Sequence, residues 1–181
     1  MGHGTSDIHQ GINPLHGHCR SRDVTLPGIR CGKLIAIPAS GFGYRTATQH
    51  GSTTGNGGFT YLPNERVTFY LGAITLPAAS TGPVVTPYDM GSSPYEPINV
   101  VRLLHLLFRE GNGTRWLCTS ATELDMVPID FTVDPGAFSR QLAVATMMKH
   151  LGCKLIDEKA AIEFLDTSIA RYIHGKCGVS H

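Results

Sequence analysis

The sequence predicts an α+β fold in one domain: an antiparallel, sandwich-like β half at the amino-terminal side, packed with about three helices at the carboxy-terminal side. Three observations predict it. Within the run Gly41 to Gly72, Phe59 and Tyr61 alternate with Gly58, Thr60 and Leu62, and Val67, Phe69 and Leu71 alternate with Arg66, Thr68 and Tyr70. That is the period of half-buried strands. From Pro97 onward the apolar residues recur at helical spacing instead. No proline- or serine-rich tract divides the 181 residues, and 41% hydrophobic content is enough for one substantial core.

Residues 1–30 are rich in glycine and histidine without periodicity, with turns at Asn13-Pro14 and Leu26-Pro27-Gly28, and read as an irregular arm. The domain then spans 31–174, β-rich over 31–90 and helix-rich over 94–174. Lys33 to Pro38 is a short apolar strand, and strands continue to Leu76, with Val84 and Val85 as a last short one. Leu62-Pro-Asn-Glu65 is a turn in which Asn64 suits a left-handed backbone. Pro97 opens the first helix, where its missing N–H costs nothing, and Ile98, Val101, His105 and Phe108 mark its face as far as Leu107. Gly111 and Gly113 are expected to stop it. A second helix runs from Pro135 or Gly136 to His150, capped by Asp134, with Phe138, Leu142, Val144, Ala145 and Met148 apolar. A third begins near Asp157 and carries Ile162, Phe164, Leu165, Ile169 and Ile173. Residues 175–181 read as a loose tail.

Composition excludes some function classes. With a formal net charge of +1 and only 16% charged residues, the chain lacks the surplus that drives binding to nucleic acid or anionic membrane. Apolar runs fall short of the roughly 20 residues of a membrane span, and no charged-then-apolar leader stands at the start. The expected partner is a small apolar molecule; the oligomeric state is left open. No Gly-x-Ser-x-Gly elbow, P-loop, dinucleotide fingerprint or His-Glu-x-x-His is present, and Gly41-Phe-Gly and Gly55-Asn-Gly-Gly sit between strands as hairpin turns. No cofactor is expected. The five cysteines form no Cys-x-x-Cys pair, so no structural zinc is expected. Cys19 and Cys31 either close a loop in an oxidising compartment or stay as buried thiols. His3, His9, His16 and His18 read as solvated loop histidines, and His150 and His174 as residues favoured near helix carboxyl ends.

The blocks Gly43-Tyr44, Thr46, Gly51-Ser-Thr53, Gly57-Gly-Phe59-Thr-Tyr61, Glu65-Arg-Val67-Thr-Phe69 and Leu71-Gly72 resemble a β-rich domain of exported bacterial proteins and lipoproteins, most of them uncharacterised. Thr86-Pro87-Tyr88-Asp89, Asn99-Val-Val-Arg102-Leu-Leu, Ile129-Asp130-Phe131 and Leu155-Ile156-Asp157-Glu158-Lys159-Ala160-Ala161 resemble later blocks of that family. The likeness covers about Lys33 to Arg171. It implies export to the periplasm or envelope of a bacterium, with a signal sequence already removed, and implies no reaction. Two departures stand out. Asn64 replaces the family's usual glycine. Leu106 to Trp116 replaces an Asp-rich turn, and with Glu110 as its single carboxylate this segment is rejected as a metal site.

Candidate chemistry rests on polar groups among apolar neighbours. His105, surrounded by Leu103, Leu104, Leu106, Leu107 and Phe108, reads either as a satisfied core histidine or as a neutral imidazole able to exchange a proton. Tyr88 and Asp89 follow a strand at the edge of a flexible segment. Asp125 and Asp130 flank Met126-Val-Pro-Ile129, where apolar walls would raise a carboxyl pKa into general-acid range. Arg102 would hold a carboxylate, orient a substrate oxygen, or pair with a solvated carboxylate. Phe42, Tyr44, Phe59, Phe69, Met126, Phe131, Phe138 and Met147 would line an apolar pocket.

Two readings follow. The first is a cofactor-independent lyase or isomerase acting by acid–base chemistry on a small hydrophobic epoxide; in size and general character the chain is similar to the small terpene-epoxide decyclases that open α-pinene oxide. The second is a non-catalytic exported β-domain that binds a ligand, a glycan or an envelope protein.

Overall fold

The computed structural model describes residues 27–36, 41–111, 114–117 and 128–177. Two β-sheets form the amino-terminal half. One is three-stranded, with β1 (Arg30–Leu34) between β4 (Gly58–Tyr61) and β8 (Val84–Val85). The other joins β2 (Gly43–Arg45), β3 (His50–Ser52), β5 (Arg66–Leu71), β6 (Ile74–Thr75) and β7 (Ala79–Ser80), with β5 pairing β2 on one side and β6 and β7 on the other. The α+β architecture is as the sequence predicts. One pairing departs from the antiparallel expectation: β8 runs parallel to β1.

The alternation read from β5 holds, with Val67, Phe69 and Leu71 buried and Arg66 and Tyr70 exposed. In β4 it does not, since all four residues are buried. There the Thr60 hydroxyl is paired with the Tyr44 hydroxyl at 2.7 Å, a hydrogen bond between the two sheets. Phe59 meets Phe69 edge-to-face at 5.2 Å and packs at 5.7–5.8 Å from Tyr61 and Tyr44. Such pairs add about 0.5–1.5 kcal/mol each beyond area burial. Phe59 lies opposite Gly32 across β1 and β4, and its ring covers that glycine.

Asn64 adopts φ 68° in the turn between β4 and β5, as its short polar side chain predicts. The same turn is held by Glu65, whose Oε2 accepts from the Leu62 amide at 2.8 Å. Burial pushes the Glu65 carboxyl up, and hydrogen bonding by Leu62 together with Thr48 and Thr46 outweighs it, leaving the pKa below the ordinary 4.5. Oε1 is buried with no partner inside strict hydrogen-bond geometry, so Leu62 carries the firmest of these contacts. A carboxyl depressed in the fold stabilises fully above its unfolded pKa, and that stabilisation is lost as pH falls through the folded pKa. The gap in urea midpoint between wild type and Glu65→Gln is therefore expected to narrow as pH is lowered from about 6 to about 3. A gap independent of pH would contradict this role.

Helix α1 (Glu96–Leu107) is buried on nine of its twelve residues. Val100, Leu103, Leu104, Leu106 and Leu107 join the core shared with the sheets, while Val101 packs with Ala161 and Leu165 of α4 (Glu158–Cys177). The helix ends at Leu107, as the spacing predicts, ahead of the glycines expected to stop it, and Phe108 turns extended and stacks on Phe42 at 6.0 Å. From there a hairpin of β9 (Phe108–Gly111) and β10 (Thr114–Leu117) interrupts the region read as helical. Asn112-Gly113, the dipeptide suited to a two-residue hairpin turn, separates the two strands in sequence.

The single helix expected from Pro135 to His150 is two: α2 (Pro135–Arg140) and α3 (Leu142–Leu151). Asp134 caps α2 as expected, accepting from the Gly136 and Ala137 amides at 3.0 Å. The break falls at Gln141, whose backbone is extended (ψ 139°). Its side chain accepts from the Asp130 amide at 2.8 Å and donates to the Asp130 carbonyl at 2.7 Å, a two-point tie of helix to loop. Asp157 caps α4, accepting from the Ala160 amide at 2.8 Å. That helix continues to Cys177, past the expected start of the loose tail. Among the described residues, no helix is long and apolar enough to cross a membrane.

Candidate functional site

Because α1 is enclosed by the sheets on one side and α4 on the other, any polar side chain on it must be satisfied inside the protein. Glu96, Asn99 and Arg102 stand three residues apart and are each at most 7% exposed. Glu96 Oε2 accepts from the Ser92 and Ser93 amides at 2.6 Å, closing the turn that enters the helix. Asn99 Nδ2 donates to the Phe131 and Val133 carbonyls at 3.0 and 2.8 Å, while its Oδ1 is buried with no hydrogen-bond partner among the described residues. Arg102 donates from Nε to the Ile156 carbonyl at 2.8 Å, from one terminal nitrogen to the Pro135 carbonyl at 2.9 Å, and from the other to Ser139 Oγ at 3.1 Å.

Arg102 thus joins α1 to the first turn of α2 and to the residue before the α4 cap. Burial lowers its pKa, and the nearby carboxylates of Glu158 and Asp157 oppose that shift. Its hydrogen-bond acceptors are two backbone carbonyls and a serine hydroxyl, none of them a carboxylate. Glu96 and Asn99 are not among the residues expected from the sequence to form the site. Their signal was a polar residue at every third position of a helix otherwise apolar all round.

The remaining candidates are dispersed. His105 is half-buried, with its ring edge-on to Phe164 at 5.5 Å. Asp89 Oδ2 accepts from the Thr86 amide and hydroxyl at 2.7 and 2.9 Å, so it closes the turn at Pro87–Asp89. Tyr88 is 48% exposed and donates to Asp166 Oδ1 at 2.9 Å. Partial burial and the Asp166 carboxylate push its phenol pKa up. Asp130 is exposed and accepts from the Thr132 amide and hydroxyl at 2.9 and 2.7 Å. These bonds hold its carboxyl below the ordinary carboxylate range, opposite to the raised pKa expected of a general acid. Asp125 and Met126 lie outside the described residues.

The aromatic candidates are core residues. Phe42, Tyr44, Phe59, Phe69, Phe131, Phe138 and Met147 are all buried in one cluster. Phe59 packs against Tyr44 and Phe69, Phe42 stacks on Phe108, and Phe131 lies on Phe138 at 5.6 Å in the helical half. Among the described residues, no three of His, Cys, Asp and Glu come together as metal ligands would. The amino-terminal histidines lie outside the described residues.

A different arrangement is found on the outer face of the five-stranded sheet. The strand registers align Ser52, Gly43, Tyr70 and Thr75 in one row, His50, Arg45 and Thr68 in the next, and Arg66 with Ser80 in a third. All except Gly43 and Thr68 are exposed. Tyr70 packs over Gly43, where a Cβ would overlap its ring, and is 37% exposed. Two arginines, an imidazole, an exposed aromatic ring and four hydroxyl side chains share this face, and none of its positions carries a carboxylate. The sequence reading named none of these residues as a site, because the face exists only once the strands are paired.

Comparison of the chain with protein-family models, with curated proteins and with solved structures finds no match.

Proposed function

We propose that this chain is a non-catalytic exported β-domain that binds its ligand on the outer face of the five-stranded sheet. The observation that carries the reading is the composition of that face, where exposed side chains from five strands project in register and include a tyrosine and two arginines. Export is supported by the disulfide at Cys31, a bond that persists in oxidising compartments. The partner expected for it, Cys19, lies outside the described residues. Acid–base chemistry on an epoxide draws less support. Asp89, Asp130 and Arg102 are engaged in local or inter-helix ties, and Asp130 is held ionised.

Native electrophoresis of the whole chain through gels containing dissolved neutral or acidic polysaccharides tests the proposal. Retardation is expected, reduced by Arg45→Gln with Arg66→Gln and unchanged by His105→Ala. Retardation lost in His105→Ala alone, or turnover of α-pinene oxide above a buffer control by gas chromatography, would overturn it.

A further inference from the structure

The sheet face has a chemistry more specific than a general binding surface. A stacked sugar needs a flat, exposed aromatic ring, because the apolar C–H face of a pyranose is weakly positive and lies well against the electron-rich face of an arene. Tyr70 supplies an exposed ring that packs over the backbone of Gly43, where a Cβ would overlap its Cε2 and Cζ atoms. Any other residue at position 43 would displace it. The hydroxyls of Ser52 and Thr75 flank it in the same row, within reach of sugar hydroxyls.

Charge then selects among sugars. Arg45 stands two residues along β2 from Gly43, about 7 Å at strand rise, and Arg66 four residues along β5 from Tyr70, about 13 Å. Among the described residues neither is paired with a carboxylate; Arg66 donates to the Ala78 carbonyl at 2.7 Å and keeps further N–H groups for another acceptor. Glu65, the acid nearest in sequence, is turned to the Leu62 amide. Exposed His50 lies beside Arg45 across the β2–β3 pair. A line of cationic groups leading away from an aromatic platform complements an extended chain of rings that bears one carboxylate after another. Guanidinium groups recognise carboxylates by paired, charge-assisted hydrogen bonds.

We propose that this face binds an anionic polysaccharide of the uronate type, with Tyr70 stacked on one ring and Arg45 and Arg66 pairing with carboxylates of rings farther along the chain. The proposal rests on the binding-domain reading above and names its ligand class.

The test uses the whole chain and four probes: polygalacturonate, its fully methyl-esterified form, poly-L-glutamate and a single-stranded oligothymidylate, each followed by calorimetric titration at low salt. Polygalacturonate is expected to bind, about tenfold more weakly to the Arg45→Gln/Arg66→Gln variant and more weakly as salt rises. The other three probes are expected to bind at least tenfold more weakly than polygalacturonate. Tyr70→Ala is expected to weaken binding as well; since it uncovers Gly43, the arginine variant, confined to exposed side chains, keeps the test independent of folding.

Equal binding of the methyl-esterified polymer, lost in Tyr70→Ala, would overturn the anionic ligand while leaving the sheet face as the site. Equal or tighter binding of poly-L-glutamate or oligothymidylate would overturn the sugar and point to an acidic protein or a nucleic acid. Binding of no probe would overturn the ligand class, and identical polygalacturonate binding by wild type and both variants would remove the sheet face itself.

Discussion

Replacement of Arg102 by lysine is expected to lower stability by about 3 kcal/mol, and by no less than replacement by methionine. The guanidinium reaches three acceptors, one on the segment leading into α4 and two on α2 itself. An ammonium group placed at one point cannot span them, so Arg102→Lys keeps a buried charge while leaving acceptors unmet. Methionine leaves the same acceptors unmet but removes the charge, and relieving that desolvation offsets part of the loss. Pro135 retains one donor in either variant, the Ser139 hydroxyl at 2.9 Å, which limits the damage. For a domain of this size the thermal midpoint is expected to fall by about 6–12 °C. A lysine variant as stable as wild type would show that Arg102 is not the tie between the helices.

The second large effect is expected at Gly32. A Cβ there would come within 2.5 Å of both Phe59 Cζ and the Gly82 carbonyl oxygen. Neither neighbour can yield cheaply: the oxygen belongs to the backbone beside the β1–β8 pair, and the ring is fixed between Tyr44, Tyr61 and Phe69. Gly32→Ala is expected to cost about 3 kcal/mol or more, at the upper end of overpacking effects, and Gly32→Val to prevent folding. Gly55→Ala is the control. A Cβ at that position meets nothing within 4 Å, and its urea midpoint is expected to match wild type. Equal midpoints for the alanine variants at 32 and 55 would mean that Phe59 is not held against β1.

Local pattern made the β5 alternation, the span of α1 to Leu107, the Asp134 and Asp157 caps and the left-handed Asn64 readable in the sequence. These depend on residues within a turn or two of one another. Non-local causes account for what was missed. The break at Gln141 is produced by a tie to Asp130, eleven residues back, which no helical propensity encodes. Burial of both faces of β4 reflects contacts made across sheets, including the Tyr44–Thr60 hydroxyl pair. The polar residues of α1 were recognised only in part: Arg102 was picked out as chemistry, yet enclosure of the helix turns it, with Glu96 and Asn99, into structural support. The aromatic candidates read as apolar are buried in one cluster, and sequence does not distinguish a ring facing a cavity from one facing another ring. The sheet face was invisible for the opposite reason. Arg45, His50, Arg66 and Tyr70 are scattered over about 25 positions and converge only through antiparallel registers. A net charge of +1 averages away the clustering that pairing creates.

The central claim is that ligand binds the sheet face and that the polar residues of α1 serve the fold. The most direct test is an amide chemical-shift map of the labelled whole chain titrated with trigalacturonate. Shift changes confined to β2, β3 and β5 to β7, centred on Gly43, Arg45, Thr68 and Tyr70, are predicted. Changes centred instead on His105, Phe164, Tyr88 and Asp166, with the sheet face silent, would contradict the account.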